Sequence, residues 1–113
     1  MLAPTQGKTM LIISLLAAAA AATSPTYLRC TFTGDAEVMF TADEAHSAVT
    51  VSIPSTGYVE TLPAAFSPDA VRFRNRVIAY EISRTALTAH RTFDGAAADP
   101  GTCKVEDAPK RAF

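Results

Sequence analysis

The sequence predicts an all-β domain, a small antiparallel barrel or sandwich, following a cleaved signal peptide. Three observations carry that expectation. Short strand-like runs recur along the chain with turn residues between them. No stretch beyond Ala22 keeps a long helical period. Two cysteines, Cys30 and Cys103, stand near the two ends of that region.

The start of the chain differs from the rest. A single charge, Lys8, precedes the uncharged run "MLIISLLAAAAAA" from Met10 to Ala22, and Ala20-Ala21-Ala22 offers a small-residue cleavage site before Thr23. A basic start, a short apolar run and small residues are the parts of a secretory signal peptide. About 13 residues at roughly 1.5 Å each make a helix of about 20 Å, short of a hydrocarbon core of about 30 Å. The expected organisation is therefore a signal peptide at 1–22, one β domain at 23–106 and a loose tail at 107–113, with no stable membrane span after cleavage. The expected location is periplasmic or secreted.

Within the β domain, "YLRCTFT" (Tyr27 to Thr33) is rich in β-branched and aromatic residues and stops at Gly34-Asp35. "EVMFTA" (Glu37 to Ala42) and "AVTVSI" (Ala48 to Ile53) follow, the latter alternating Val49, Val51 and Ile53 with Thr50 and Ser52. Pro54 to Gly57 read as a loop. "YVETLPAAF" (Tyr58 to Phe66) stays open between a strand weakened by Pro63 and a single helical turn. "AVRFR" (Ala70 to Arg74) sets Val71 and Phe73 against Arg72 and Arg74, and "VIAYEIS" (Val77 to Ser83) sets Ile78, Tyr80 and Ile82 on one side. "LTAHRTF" (Leu87 to Phe93) gives another strand, Asp94 to Gly101 a loop by composition, and "TCKVE" (Thr102 to Glu106) a last short strand.

Removal of the segment Met1 to Ala22 takes Lys8 with it and leaves nine Lys and Arg against eleven Asp and Glu, a formal charge of −2. That balance argues against a general nucleic-acid binder. The region that remains is short enough for covalent support to matter. Two cysteines permit one intramolecular pairing, and export leads to a compartment where disulfides persist. A Cys30–Cys103 bridge would set the first strand beside the end of the chain and close the sheet.

Four letters invite a different reading. Asp43-Glu44-Ala45-His46 spell the D-E-A-H of nucleic-acid helicases. That motif works beside a phosphate-binding loop, and no G-x-x-x-x-G-K-[ST] is present. The segment reads as a polar turn between two strands. His46 and His90, the only histidines, have no Asp, Glu or Cys at a recognised ligand spacing, so neither metal nor other cofactor is expected. No G-x-S-x-G or other nucleophile setting appears, and no catalytic residue is expected.

The arginines are the strongest candidates for function. Arg72, Arg74 and Arg76 are expected on one strand face, and Arg84 and Arg91 on the following hairpin. Guanidinium groups suit bidentate contacts to carboxylate or phosphate. The expected partner is thus a protein, glycan or lipid of the cell envelope. The plainer reading is a solvated sheet face on which Glu81 pairs with one of these arginines.

Two resemblances add to this. "YLRC" after a signal peptide, "MFTADEAHSAVTV", "AFSPDAVRF", "YEISRTALT", "GTCKV" and "KRAF" resemble elements of small exported bacterial proteins with one disulfide and no assigned activity. That likeness implies export, a β fold and the bridge. "YLRCTFTGDAEVMF" is also similar to the opening strands of the membrane-bound and periplasmic inhibitors of c-type lysozyme, and "PSTGY" (Pro54 to Tyr58) to their inhibitory loop. The family's loop has a second small-residue pair that is missing here, so Ser55, Gly57 and Tyr58 are the residues the likeness assigns to inhibition. The sequence thus predicts a non-catalytic binding or envelope-accessory module, with a periplasmic inhibitor of a cell-wall hydrolase as the alternative.

Overall fold

A computed structural model describes residues 24–109. The expected signal peptide, and residues 110–113 of the expected tail, lie outside the described residues. Eight antiparallel strands follow one another as a meander and close into a barrel, β8 pairing back onto β1. They are β1 (Thr26–Phe32), β2 (Ala36–Asp43), β3 (Ala48–Ile53), β4 (Tyr58–Phe66), β5 (Ala70–Arg74), β6 (Ile78–Ser83), β7 (Thr88–Phe93) and β8 (Asp99–Glu106). Closure settles the choice the sequence left open, a barrel rather than a sandwich. No helix among the described residues is long and apolar enough to cross a membrane.

Alternation along each strand decides what fills the interior. Leu28, Cys30 and Phe32 point inward from β1, Val38, Phe40 and Ala42 from β2, Val49 and Val51 from β3, and Leu62 from β4. Val71 and Phe73 from β5, Tyr80 and Ile82 from β6, Ala89 from β7 and Cys103 from β8 complete the core. Phe40 meets Phe73 and Tyr80 edge-on at centroid distances of 5.4 and 5.3 Å, and Phe73 stacks on Tyr80 at 5.0 Å. The centre of the barrel is therefore filled with these side chains.

Cys30 and Cys103 form a disulfide across the β1–β8 seam, where they face each other with Cα atoms 4.0 Å apart. The Cys103 N–H is donated to the Leu87 carbonyl at 2.8 Å, towards β7. Cys30 and Cys103 therefore form a non-hydrogen-bonded pair on the β1 side, the closer of the two kinds of antiparallel pair.

Two strands contain proline, and both prolines stand where a ladder stops. β4 pairs with β3 from Tyr58 to Pro63 and with β5 only from Ala64 to Phe66. Pro63 has no N–H to return towards β5, so the β4–β5 ladder ends beside it. β8 pairs with β7 from Asp99 but with β1 only from Gly101. Pro100 thus lacks its N–H just where no β1 partner remains. Gly101 lies under Phe32: a Cβ there would come within 2.7 Å of the Phe32 ring.

Each end of the barrel is fastened by an arginine. At the end formed by the β1–β2, β3–β4, β5–β6 and β7–β8 connections, Arg91 donates to Asp99 at 2.8 Å and lies over the Phe32 ring at 4.5 Å. Thr33 donates its backbone N–H at 3.3 Å, and its hydroxyl, to the other Asp99 oxygen. These contacts, the Thr33 hydroxyl first and then Arg91, hold the Asp99 carboxyl below the ordinary aspartate range. A depressed folded-state pKa stabilises the fold above the unfolded-state pKa, and that stability is lost as pH falls through the folded one. Asp99→Asn is therefore expected to lower the melting temperature at neutral pH and to flatten its fall below about pH 4. Melting curves from pH 2 to 6 that run parallel for the two proteins would contradict this.

Candidate binding face

The outward residues of β4 to β7 form the most developed surface feature. Cross-strand register lines them in two rows. Ala65, Arg72, Glu81 and His90 stand side by side in one, and Arg74, Ala79 and Thr92 in the next, with Pro63 at its β4 end. Arg72 and Arg74 on β5, with Glu81 on β6 and His90 on β7, rise around the short side chains Ala65, Ala79 and Thr92. The result is an open trough of about 790 Å³ with a floor of Pro63, Ala65, Ala79 and Thr92.

Its two arginines differ. Arg72 donates Nε to Glu81 Oε2 at 2.6 Å across the β5–β6 hairpin, the cross-strand pairing the sequence suggests. Both groups are well exposed, so the pair adds little to stability. Arg74 has only a 3.5 Å contact from Nε to the Asn75 carbonyl, and no carboxylate within 4.0 Å among the described residues. Its charge faces solvent beside an apolar floor.

The other two arginines expected here lie elsewhere. Arg76 sits exposed in the β5–β6 turn, off the strand face. Arg84 requires a correction: it belongs to the β6–β7 turn at the opposite end of the barrel. There it donates Nη2 to Glu44 Oε1 at 2.8 Å and Nη1 to the Ser67 carbonyl at 2.8 Å, tying three turns together. Strand alternation stops at Ser83, so it does not govern Arg84. Arg91 is turned towards Asp99 and Phe32 and takes no part in the trough.

Asp43 ends β2, and Glu44 to His46 form one turn of 3-10 helix leading into β3. Asp43 pairs with His46 Nδ1 at 2.8 Å and Glu44 with Arg84, so the D-E-A-H residues form a fastened turn. Among the described residues no three of His, Cys, Asp and Glu gather as metal ligands. Ser55 and Gly57 are exposed in the β3–β4 turn, where Gly57 has φ 75°. The Tyr58 hydroxyl donates to Glu60, which raises the pKa of the phenol.

His90, Thr92, Ala79, Ala65 and Pro63 are not among the binding residues that the sequence suggests. Alternation in "IAYEIS" and "TAHRTF" does place Ala79, Glu81, His90 and Thr92 outward; it carries no information about which rows adjoin. Comparison of the chain with protein-family models, with curated proteins and with solved structures finds no match.

Proposed function

We propose that this protein is a small exported, non-catalytic binding module of the cell envelope, taking an anionic partner on the β4–β7 trough. One observation carries the reading: Arg74 presents a guanidinium that has no carboxylate partner among the described residues, beside a floor of small side chains. Such a group offers a fork of donors to carboxylate, phosphate or sulfate. The leader-like sequence at 1–22 supports export, and the disulfide suits an oxidising compartment.

Arg74→Ser leaves the Arg72–Glu81 pair intact. It is expected to weaken binding to an anionic resin roughly tenfold, the effect of losing one charge-assisted contact of about 1.5 kcal/mol. The double variant Arg72→Ser/Arg74→Ser should weaken it further. Salt-gradient elution from the resin measures both, and unchanged retention removes the proposal.

Inhibition of a cell-wall hydrolase such as c-type lysozyme remains the second reading. Exposure of Ser55 and Gly57 favours it. The Tyr58 hydroxyl is already engaged by Glu60, which is why it ranks second.

A further inference from the structure

Barrel closure normally leaves no strand edge, but here unequal strand lengths leave stretches paired on one side only, and the longest of these lies on β4. β4 has nine residues and β5 five, and β4 outruns the β4–β5 ladder by the six residues Tyr58 to Pro63. The direction of the leftover peptide groups follows from one bond. Ala64 donates its N–H to the Ser47 carbonyl at 2.8 Å, on the β3 side. Alternation then turns the N–H and C=O groups of Leu62, Glu60 and Tyr58 towards β3, and those of Thr61 and Val59 away from it. The close approach of the Thr50 and Thr61 hydroxyls, 2.9 Å apart, agrees, because non-hydrogen-bonded pairs bring side chains nearest.

On the far side β5 does not continue. Asn75 donates its N–H to the Ile78 carbonyl at 3.0 Å and its side chain accepts from Val77 and Ile78, which turns the chain back into β6. A notch is left beside Val59 and Thr61, crossed by one side-chain bond from Asn75 Nδ2 to Glu60 Oε1 at 3.2 Å. The devices that usually protect an edge are weak here. Pro63 guards one end, while the outward side chains Val59 and Thr61 carry no charge, and Val59 is 64% exposed.

We propose that the edge of β4 at Val59 and Thr61 takes an extended, carboxylate-bearing polypeptide segment by strand addition, with Arg74 receiving an acidic side chain. This rests on the trough as the binding face and names its ligand class. Main-chain bonds to a free edge supply affinity, and side chains at alternate positions supply choice. Arg74, next to Pro63 at the head of the notch, and Arg76 in the adjoining turn are both without a carboxylate partner among the described residues, so the complementary segment is acidic. A second copy of this chain fits poorly. A two-fold antiparallel register that exchanges bonds at both Val59 and Thr61 sets Glu60 opposite its own copy, and like charges directly opposed destabilise a pair.

The test titrates the oxidised protein with the peptide acetyl-Val-Asp-Val-Asp-Val-amide and with its counterpart N-methylated at the three central amides, by calorimetry. The unmodified peptide is expected to bind, and methylation to weaken it at least tenfold at unchanged charge. Thr61→Pro removes an N–H that the β3–β4 ladder does not use. It should cause a loss of similar size while leaving retention on an anionic resin as before. Equal binding of the two peptides, or no binding of either while resin retention still depends on Arg74, overturns strand addition and leaves the anion-binding face standing. Loss of the Arg74 dependence itself would overturn both. Should Thr61→Pro fail to fold, the methylated peptide against the unaltered protein decides alone.

Discussion

Opening the Cys30–Cys103 bridge is expected to lower the melting temperature by roughly 15 to 30 °C. The bond joins residues 73 apart in sequence, and the chain-entropy model assigns closure of such a loop about 4 kcal/mol. For a domain of this size each kcal/mol moves the midpoint by about 4 to 8 °C. The effect is large because of where the bond lies. β1 and β8 are the one strand pair in the barrel that no short connection joins. Every other ladder follows a turn and costs little loop entropy, whereas the closing ladder must bring the two ends together. Cys30 is fully buried and Cys103 nearly so, so reductant should act slowly on the native protein and quickly once it is unfolded. The comparison is therefore best made by scanning calorimetry on protein reduced in denaturant and refolded, with Cys30→Ala/Cys103→Ala alongside. A shift below about 5 °C in both, equivalent to no more than roughly 1 kcal/mol, would show that the seam holds by its ladder and core alone.

Much of this architecture is legible in the sequence, and the exceptions share a cause. Alternation and turn residues place β1 to β3 and β5 to β7 within a residue or two, and β3 at its observed bounds of Ala48–Ile53. The two strands that composition obscures are the two that contain proline. Tyr58–Phe66 stays open between strand and helical turn, and Asp99-Pro100-Gly101 reads as loop, yet both are strand. A proline argues against a strand on the premise that both edges must bond. In this barrel adjacent strands differ in length, so a strand has stretches bonded on one side only, and Pro63 and Pro100 occupy such stretches. Strand length mismatch is a property of the assembled sheet and cannot be read from one segment.

The same limit applies to the binding face. Arg72 and Arg74 project outward together, as alternation requires, because both lie inside β5. Arg84 does not join them, because it lies one residue past β6, where the local path is set by the turn and by Glu44 from a different hairpin. The trough floor depends on which residues of four strands come into line. Turn length and closure register decide that, and no single run of residues encodes it.

Phe40→Ala is expected to cost about 3 to 5 kcal/mol. Phe40 is 1% exposed and is the largest of the fully buried side chains. It stands edge-on to both rings of the Phe73–Tyr80 stack, so its removal takes away two aromatic contacts as well as buried area. In a layered fold two sheets can settle towards each other and shrink a cavity. A closed ring of strands, crosslinked at its seam, has less freedom to do so, because its circumference is fixed by the ladders. The loss should therefore fall near the upper part of that range, a third or more of the stability usual for a single domain. Val59→Ala, on the outside of β4, is the matched control and should change stability by no more than about 0.5 kcal/mol. Urea unfolding of the oxidised proteins measures both. A cost for Phe40→Ala below about 1.5 kcal/mol, no more than the loss of a single buried methyl group, would mean that the barrel collapses around the vacancy. The aromatic trio would then not be what sets the spacing of its walls.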